Sequence, residues 1–142
     1  MTERVEAVLI ANARFYRALS LADTSAMRGL WLQSPEATCL HPGRQEIKGH
    51  AYIQQSWAVI FANQGPIRIW PSHEEVTLGS DWAWVTCIEN IDASATTANK
   101  IVCVRARNAF RQTAAGWKML HHLAEAMPGH ETQLANQRLA YN

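Results

Sequence analysis

Apolar positions along the first third of the chain recur at intervals of three and four. Val5, Val8, Leu9, Asn12, Phe15, Tyr16 and Leu19 fall on one stripe and predict a helix with a largely apolar face. Asp23 or Thr24 can cap a second, shorter helix whose inward residues are Met27, Leu30 and Trp31. Ser34-Pro35 stops it, because a residue before proline is pushed out of the helical region. Ala37 to His41 reads as a short extended run that ends at the turn pair Pro42-Gly43. A further helix is expected from about His50 to Ala62, with Ile53, Trp57, Ile60 and Phe61 on its apolar side and Gly65 available for a left-handed position after it.

From Pro66 onward the period changes to two. One strand carries Ile67, Ile69, Val76 and Leu78, with an interruption near Pro71 that suits an edge or a bulge. Trp82 to Ile91, Lys100 to Gln112 and Trp117 to Ala124 predict three more strands, joined by small polar turns at 79–81, 92–99 and 113–116. Helices first and an antiparallel sheet afterwards make an α+β order, with the helices on one face of the sheet. The last stretch, 129–142, has only a weak amphipathic pattern (Leu134, Arg138, Tyr141) and is expected to fray or to cover a neighbour.

Composition narrows the possible functions. The chain has 142 residues, the size of one domain, with no repeat or linker to divide it. Charged residues are scarce at 18% while there are six Trp, which suggests apolar surface covered by a subunit or a ligand. A formal net charge of +1 with scattered Lys and Arg provides no basic face for nucleic acid. Cys39, Cys87 and Cys103 have no paired spacing, which argues against a disulfide framework and a zinc site. No apolar run approaches the ~20 residues of a membrane span, and the polar start lacks a signal peptide, so a cytoplasmic protein is expected.

The order of elements resembles the nuclear transport factor 2-like superfamily, and within it the SnoaL-like, ketosteroid-isomerase-related proteins. The resemblance covers nearly the whole chain. It is carried by Phe15-Tyr16 followed by Asp23, by Leu40-His41-Pro42-Gly43 with Gly49 and Trp57 after it, and by Asn108-Ala109-Phe110-Arg111 followed by Trp117-Lys118-Met119. It implies a curved antiparallel sheet wrapped around a long helix as a cone, with the N-terminal helices closing it around an apolar cavity. It does not imply one chemistry, because the superfamily holds isomerases, dehydratases, cyclases and noncatalytic association domains alike.

Ketosteroid isomerase uses a carboxylate base with an oxyanion hole of tyrosine and protonated aspartate. The base position matches His41, the aspartate matches Asn108, and the tyrosine matches Phe15, with Tyr16 one place and ~100° of helix rotation away. Steroid isomerisation is therefore not expected. A small-molecule pocket protein is, possessing the groups of a cofactor-independent isomerase, cyclase or dehydratase, with His41 as acid or base. Asn108 and His121, with Tyr16, are the candidate hydrogen-bonding groups. Phe15, Tyr16, Trp31, Trp57, Glu89, Phe110 and Trp117 are the candidate ligand contacts, suited to a small apolar or aromatic ligand.

Two placements stay open on sequence grounds. Glu89 shares parity with Ala83, Val85 and Cys87, but Trp82, Trp84, Thr86 and Ile88 make the other face of that strand equally apolar. A strand apolar on both faces is what a homodimer packed through the back of its sheet needs, and a noncatalytic dimeric module is the rival reading. Of the adjacent His121 and His122 only one can enter the cavity, and placing Lys118 in water turns Trp117, Met119 and His121 inward together. No His pair has chelating spacing, so neither a metal nor another cofactor is expected.

Overall fold

The structure is a computed structural model that describes residues 2–92 and 101–127. Helix α1 (Glu3–Leu21) starts at Thr2, whose side-chain oxygen accepts the Val5 N–H, and carries Glu3 and Glu6 in its positive first turn. It ends where Ala22 turns left-handed at φ 52° and its N–H reaches back to the Ala18 and Leu19 carbonyls. Helix α2 (Thr24–Leu30) is capped by Asp23, which accepts from the Ala26 N–H. Two short strands, β1 (Thr38–Leu40) and β2 (Ile47–Lys48), precede helix α3 (His50–Gln64). Four long strands follow: β3 (Ile69–Leu78), β4 (Trp82–Asp92), β5 (Ile101–Thr113) and β6 (Gly116–Ala126).

All six strands form one open sheet in the order β2-β1-β6-β5-β4-β3. The expected α+β class and cone hold, with one change to the expected antiparallel sheet. β1 runs parallel to β6, pairing Thr38 with His121 and Leu40 with Leu123, while the remaining neighbours are antiparallel. β2 is an element the pattern of polar positions around it did not signal. Pro71 sits on the edge strand β3, where a missing N–H is tolerated. The interruption in β3 is a bulge between Ser72 and Glu75, with His73 at φ 54°.

α1 lies against β3, β4 and β6, and α3 against β1 and β2. Alternation along β4 buries Ala83, Val85, Cys87, Glu89 and Ile91, which places Glu89 on the inner face and Trp82, Trp84, Thr86 and Ile88 on the outer one. On β5 the inner residues are Val102, Val104, Ala106, Asn108 and Phe110. The expected turn over 92–99 lies almost wholly, and the tail 129–142 wholly, outside the described residues.

β6 departs from simple alternation. Phe110 pairs with Met119, yet Ala109 pairs with His121, so Leu120 is an extra residue with no partner on β5. The bulge inverts parity after Met119. Met119 and His122 are buried, Trp117 packs half-buried against the edge of the core, and His121 joins the outer face. The expected inward row of Trp117, Met119 and His121 is thus corrected at its last member: Trp117 and Met119 stay on the inner side, and His122 replaces His121.

Candidate functional site

His41 follows the last residue of β1 and begins a turn in which its carbonyl accepts the Arg44 N–H at 3.1 Å. Gly43, at φ 73°, supplies the left-handed position the turn requires. The side chain is driven inward beside α3. Its ring meets the Trp57 indole edge-on, centroids 4.6 Å apart, with the Cys39 sulfur 3.7 Å from Nε2. Nε2 lies 3.0 Å from the Ser56 Oγ, and that hydroxyl donates to the Ile53 carbonyl at 2.7 Å. A hydroxyl has one proton, so Ser56 accepts from an Nε2–H and the lone pair of the ring is on Nδ1. Burial and then the positive charge of Arg44 push the imidazole down from 6.5 to about 4, so the ring is neutral at pH 7.

His41 forms part of the wall of a pocket of about 570 Å³, a volume suited to a small ligand. α3 contributes Tyr52, Gln55, Ser56, Val59 and Ile60, and the facing wall is the 41–48 segment with Arg44, Glu46, Ile47 and Lys48. The pocket therefore opens between α3 and that segment, on the flank of the cone. Its lining includes none of Tyr16, Glu89 and Asn108.

Those three residues meet elsewhere, in the interior between α1 and the sheet. The Tyr16 hydroxyl donates to Glu89 Oε2 at 2.7 Å, and Asn108 Nδ2 donates to the Tyr16 oxygen at 3.0 Å and to Asn12 Oδ1 at 2.8 Å. Asn12 in turn donates to Glu74 Oε2 at 2.9 Å, across from the β3 bulge. Asn108 Oδ1 lies 2.6 Å from His122 Nδ1, which must therefore hold a proton, and this leaves the Nε2 lone pair 3.9 Å from Glu89 Oε2. Asn12, Tyr16, Glu89, Asn108 and His122 are all buried. Burial raises the Glu89 carboxyl to about 7, although the Tyr16 hydrogen bond works against the shift. Burial lowers His122 to about 3, with a smaller push from His41. His122 is thus held neutral at pH 7, while Glu89 keeps its proton below about pH 7 and is only partly ionised there, as a dry interior favours. Burial, and next the charge of Glu89, raises the Tyr16 phenol far above its usual range.

The remaining predicted contacts scatter. Phe15 packs edge-on against Trp57 at 5.7 Å and lies 4.9 Å from the His122 ring, so it links the interior cluster to the His41 side. Phe110 is core, and Trp31 is buried where its backbone bridges to Met119. The indole N–H groups of Trp31 and Trp57 are buried with no hydrogen-bond partner among the described residues. Trp117 lies under the Arg4 guanidinium, 5.7 Å from its centre, far from His41 along β6. His121 Nδ1 meets the Thr38 hydroxyl at 2.7 Å in an outer groove of about 310 Å³ shared with Trp84, Arg107 and Leu123.

Residues beyond the expected set complete both sites. Asn12 had a visible signal, an amide within an apolar stripe four residues before Tyr16. Ser56 and Glu74 had none, and His122, left open against His121 by the sequence, is turned inward by the bulge. Among the described residues no group of three His, Cys, Asp or Glu is placed to hold a metal ion, and no helix is long and apolar enough to cross a membrane.

Comparison with known proteins gives the chain its relatives. The family model of the SnoaL-like domain matches residues 8–127. A proposed dehydratase of the NTF2-like family from Streptomyces avermitilis is 31% identical, covers 89% of this chain and 97% of its own, and superposes with a TM-score of 0.78. A ketosteroid isomerase-like protein from Erwinia carotovora atroseptica shares the fold at 18% identity, with a TM-score of 0.69 over 88% of this chain and 97% of that one. Among curated proteins, the F-box protein SKIP8 of Arabidopsis thaliana is 24% identical over 123 residues, 85% of this chain. The chain spans about half the length of that relative. A match over residues 8–127, on a fold these structures share, shows that the chain belongs to the SnoaL-like domain family.

Proposed function

We propose that the chain is a small-molecule pocket protein in which His41 transfers a proton to or from carbon, as a cofactor-independent isomerase, cyclase or dehydratase does. The observation that carries this reading is the fixed tautomer of His41 in a pocket wall. Ser56 anchors Nε2–H, which puts the lone pair of the ring on Nδ1, beside the Cys39 sulfur at 3.9 Å, and a lone pair of this kind is what proton abstraction beside a carbonyl requires. Trp57 shields one side of the buried His41 ring, and Tyr52 and Gln55 in the pocket wall are the groups that can donate to the oxygen on which negative charge develops. The expected partnership of His41 with Asn108 and Tyr16 is set aside, because those groups are bonded to one another.

The test is hydrogen–deuterium exchange at carbon. A panel of aryl and alicyclic ketones is incubated in D2O with the protein, and α-deuteration is followed by NMR. Exchange above the buffer rate for at least one compound, lost in His41→Gln, is the expected result. No acceleration across the panel, or the same acceleration in the variant, refutes the assignment.

One observation favours a second reading, a noncatalytic homodimeric module. Trp82 and Trp84 stack 5.1 Å apart on the outer face of the sheet, Trp82 is 38% exposed, and Arg107 lies 3.8 Å over Trp84. Sedimentation that shows a monomer would remove this alternative.

A further inference from the structure

The outer face of the sheet holds a second concave site, the groove of about 310 Å³, which shares only Glu46 with the His41 pocket. Strand pairing builds it. Trp84 on β4, Ala109 on β5, His121 on β6 and Thr38 on β1 are successive partners in one row across the sheet. Arg107, Leu123 and Leu40 are successive partners in the row beside it. Ala109 offers only a methyl group between an indole and an imidazole, which leaves the depression.

Two opposite charges, Arg107 and Glu46, line this groove. Among the described residues neither side chain makes an ion pair or a hydrogen bond. They do not reach each other because of where they stand. Glu46 directly precedes β2, so β1 and β6 lie between it and Arg107 on β5, a distance of three strand spacings or about 14 Å. The Arg107 guanidinium is held 3.8 Å over the Trp84 ring, on the side of β5 away from Glu46. Lys48, the nearest cation along the chain to Glu46 on β2, turns to Glu36 at 3.8 Å instead. Between the two charges the surface is apolar, with Leu40 half-buried and Leu123 37% exposed.

We propose that the groove binds an extended zwitterion, in the simplest case an ω-amino acid, with its carboxylate on Arg107, its ammonium on Glu46 and its apolar chain over Leu40 and Leu123. A guanidinium stacked flat on an indole keeps its N–H edge for an anion and pairs a carboxylate through two parallel donors. A ligand with one charge leaves the other charge of the groove unanswered. An α-amino acid carries both charges on one carbon and cannot span them. None of these residues takes part in the proton transfer proposed for His41.

The test uses the whole chain and four probes: 6-aminohexanoate, hexanoate, hexylammonium and leucine. Binding is read from NMR shifts of the His121 imidazole, the Trp84 indole and the Leu123 methyl groups. 6-Aminohexanoate is expected to bind about fivefold more tightly than each of the others, the upper scale of one partly exposed ion pair. Arg107→Gln should lower it to the affinity of hexylammonium, and Glu46→Gln to that of hexanoate. Both side chains are exposed, so these variants are expected to fold. Ala109→Leu should fill the depression and abolish the shifts. If any other probe binds the unmodified chain as tightly as 6-aminohexanoate, the extended zwitterion is overturned. It is overturned too if no probe moves the groove signals, or if they move with protein concentration instead, as a second copy covering this face would cause.

Discussion

Replacing Glu89 by Gln tests whether the interior holds a carboxyl in its neutral form. Burial raises this group from 4.5 to about 7, and at 1% exposure almost no solvent screens it. His122 Nε2 stands 3.9 Å away, beyond hydrogen-bond reach, and is itself neutral, so no positive charge offsets the burial. A pKa raised in the folded state means that the folded chain binds the proton more tightly than the unfolded chain. The associated stability is complete below pH 4.5 and is lost as pH rises through 7. The rise from 4.5 to about 7 corresponds to about 3 kcal/mol, of which roughly 2–3 kcal/mol falls between pH 5 and pH 8.5.

Other groups titrate in the same range with the opposite sign. His41 and His122 are lowered to about 4 and about 3, so the stability they contribute is present above pH 6.5 and is lost as pH falls through those values. The useful quantity is therefore a difference. In Glu89→Gln the amide keeps an oxygen to accept the Tyr16 hydroxyl and does not titrate. Unfolding free energies from urea titrations of both proteins, followed by Trp fluorescence from pH 5 to 8.5, cancel the histidine contributions when subtracted. The variant should gain roughly 2–3 kcal/mol relative to the parent across that window. A difference that stays flat with pH would show that Glu89 is ionised in the folded chain throughout, and the account of the interior would be wrong.

Two further outcomes follow from the bulge and from the packing around Trp57. His122→Ala strips Asn108 Oδ1 of its donor and should cost about 2–4 kcal/mol in urea unfolding, whereas His121→Ala, on the outer face, should cost under about 1 kcal/mol. Equal costs would place the bulge wrongly. Trp57→Ala removes the ring that separates Phe15, His41 and His122 and should cost about 3–5 kcal/mol, while Trp57→Phe, which also deletes the buried indole N–H, should recover much of it.

The sequence revealed the elements better than their faces. Three-and-four spacing located α1 and α3, whose boundaries came within about two residues, because one apolar stripe per helix is enough to define it. Inner and outer residues of β5 were legible too, since Arg105 and Arg107 could not turn inward beside Val104 and Ala106. β4 was not, because Trp82 and Trp84 balance Ala83 and Val85, and only pairing with β5 sets its face. β6 misled, because one unpaired residue, Leu120, exchanges the two histidines and nothing in its own side chain announces the bulge. The parallel pairing of β1 with β6 and the two-residue β2 depend on contacts between distant segments, which no local pattern reports.

The resemblance placed His41, Asn108 and a helix-α1 hydroxyl in one site, and the structure divides them. The reason is how hydrogen bonds are completed in a dry interior. Asn108 replaces an acid, and an amide must satisfy both its donor and its acceptor side. Here the donor side takes Asn12 and Tyr16 and the acceptor side takes His122, so each of these polar atoms points at another protein atom. His41 instead stands in the wall of a pocket, where Ser56 fixes its tautomer and Trp57 its ring plane. Polar groups that complete one another specify a core, while a group held in a set orientation at a pocket wall can serve a ligand. By that criterion the interior cluster positions the sheet against α1, and the flank between α3 and the 41–48 segment is where the proposed ligand site lies.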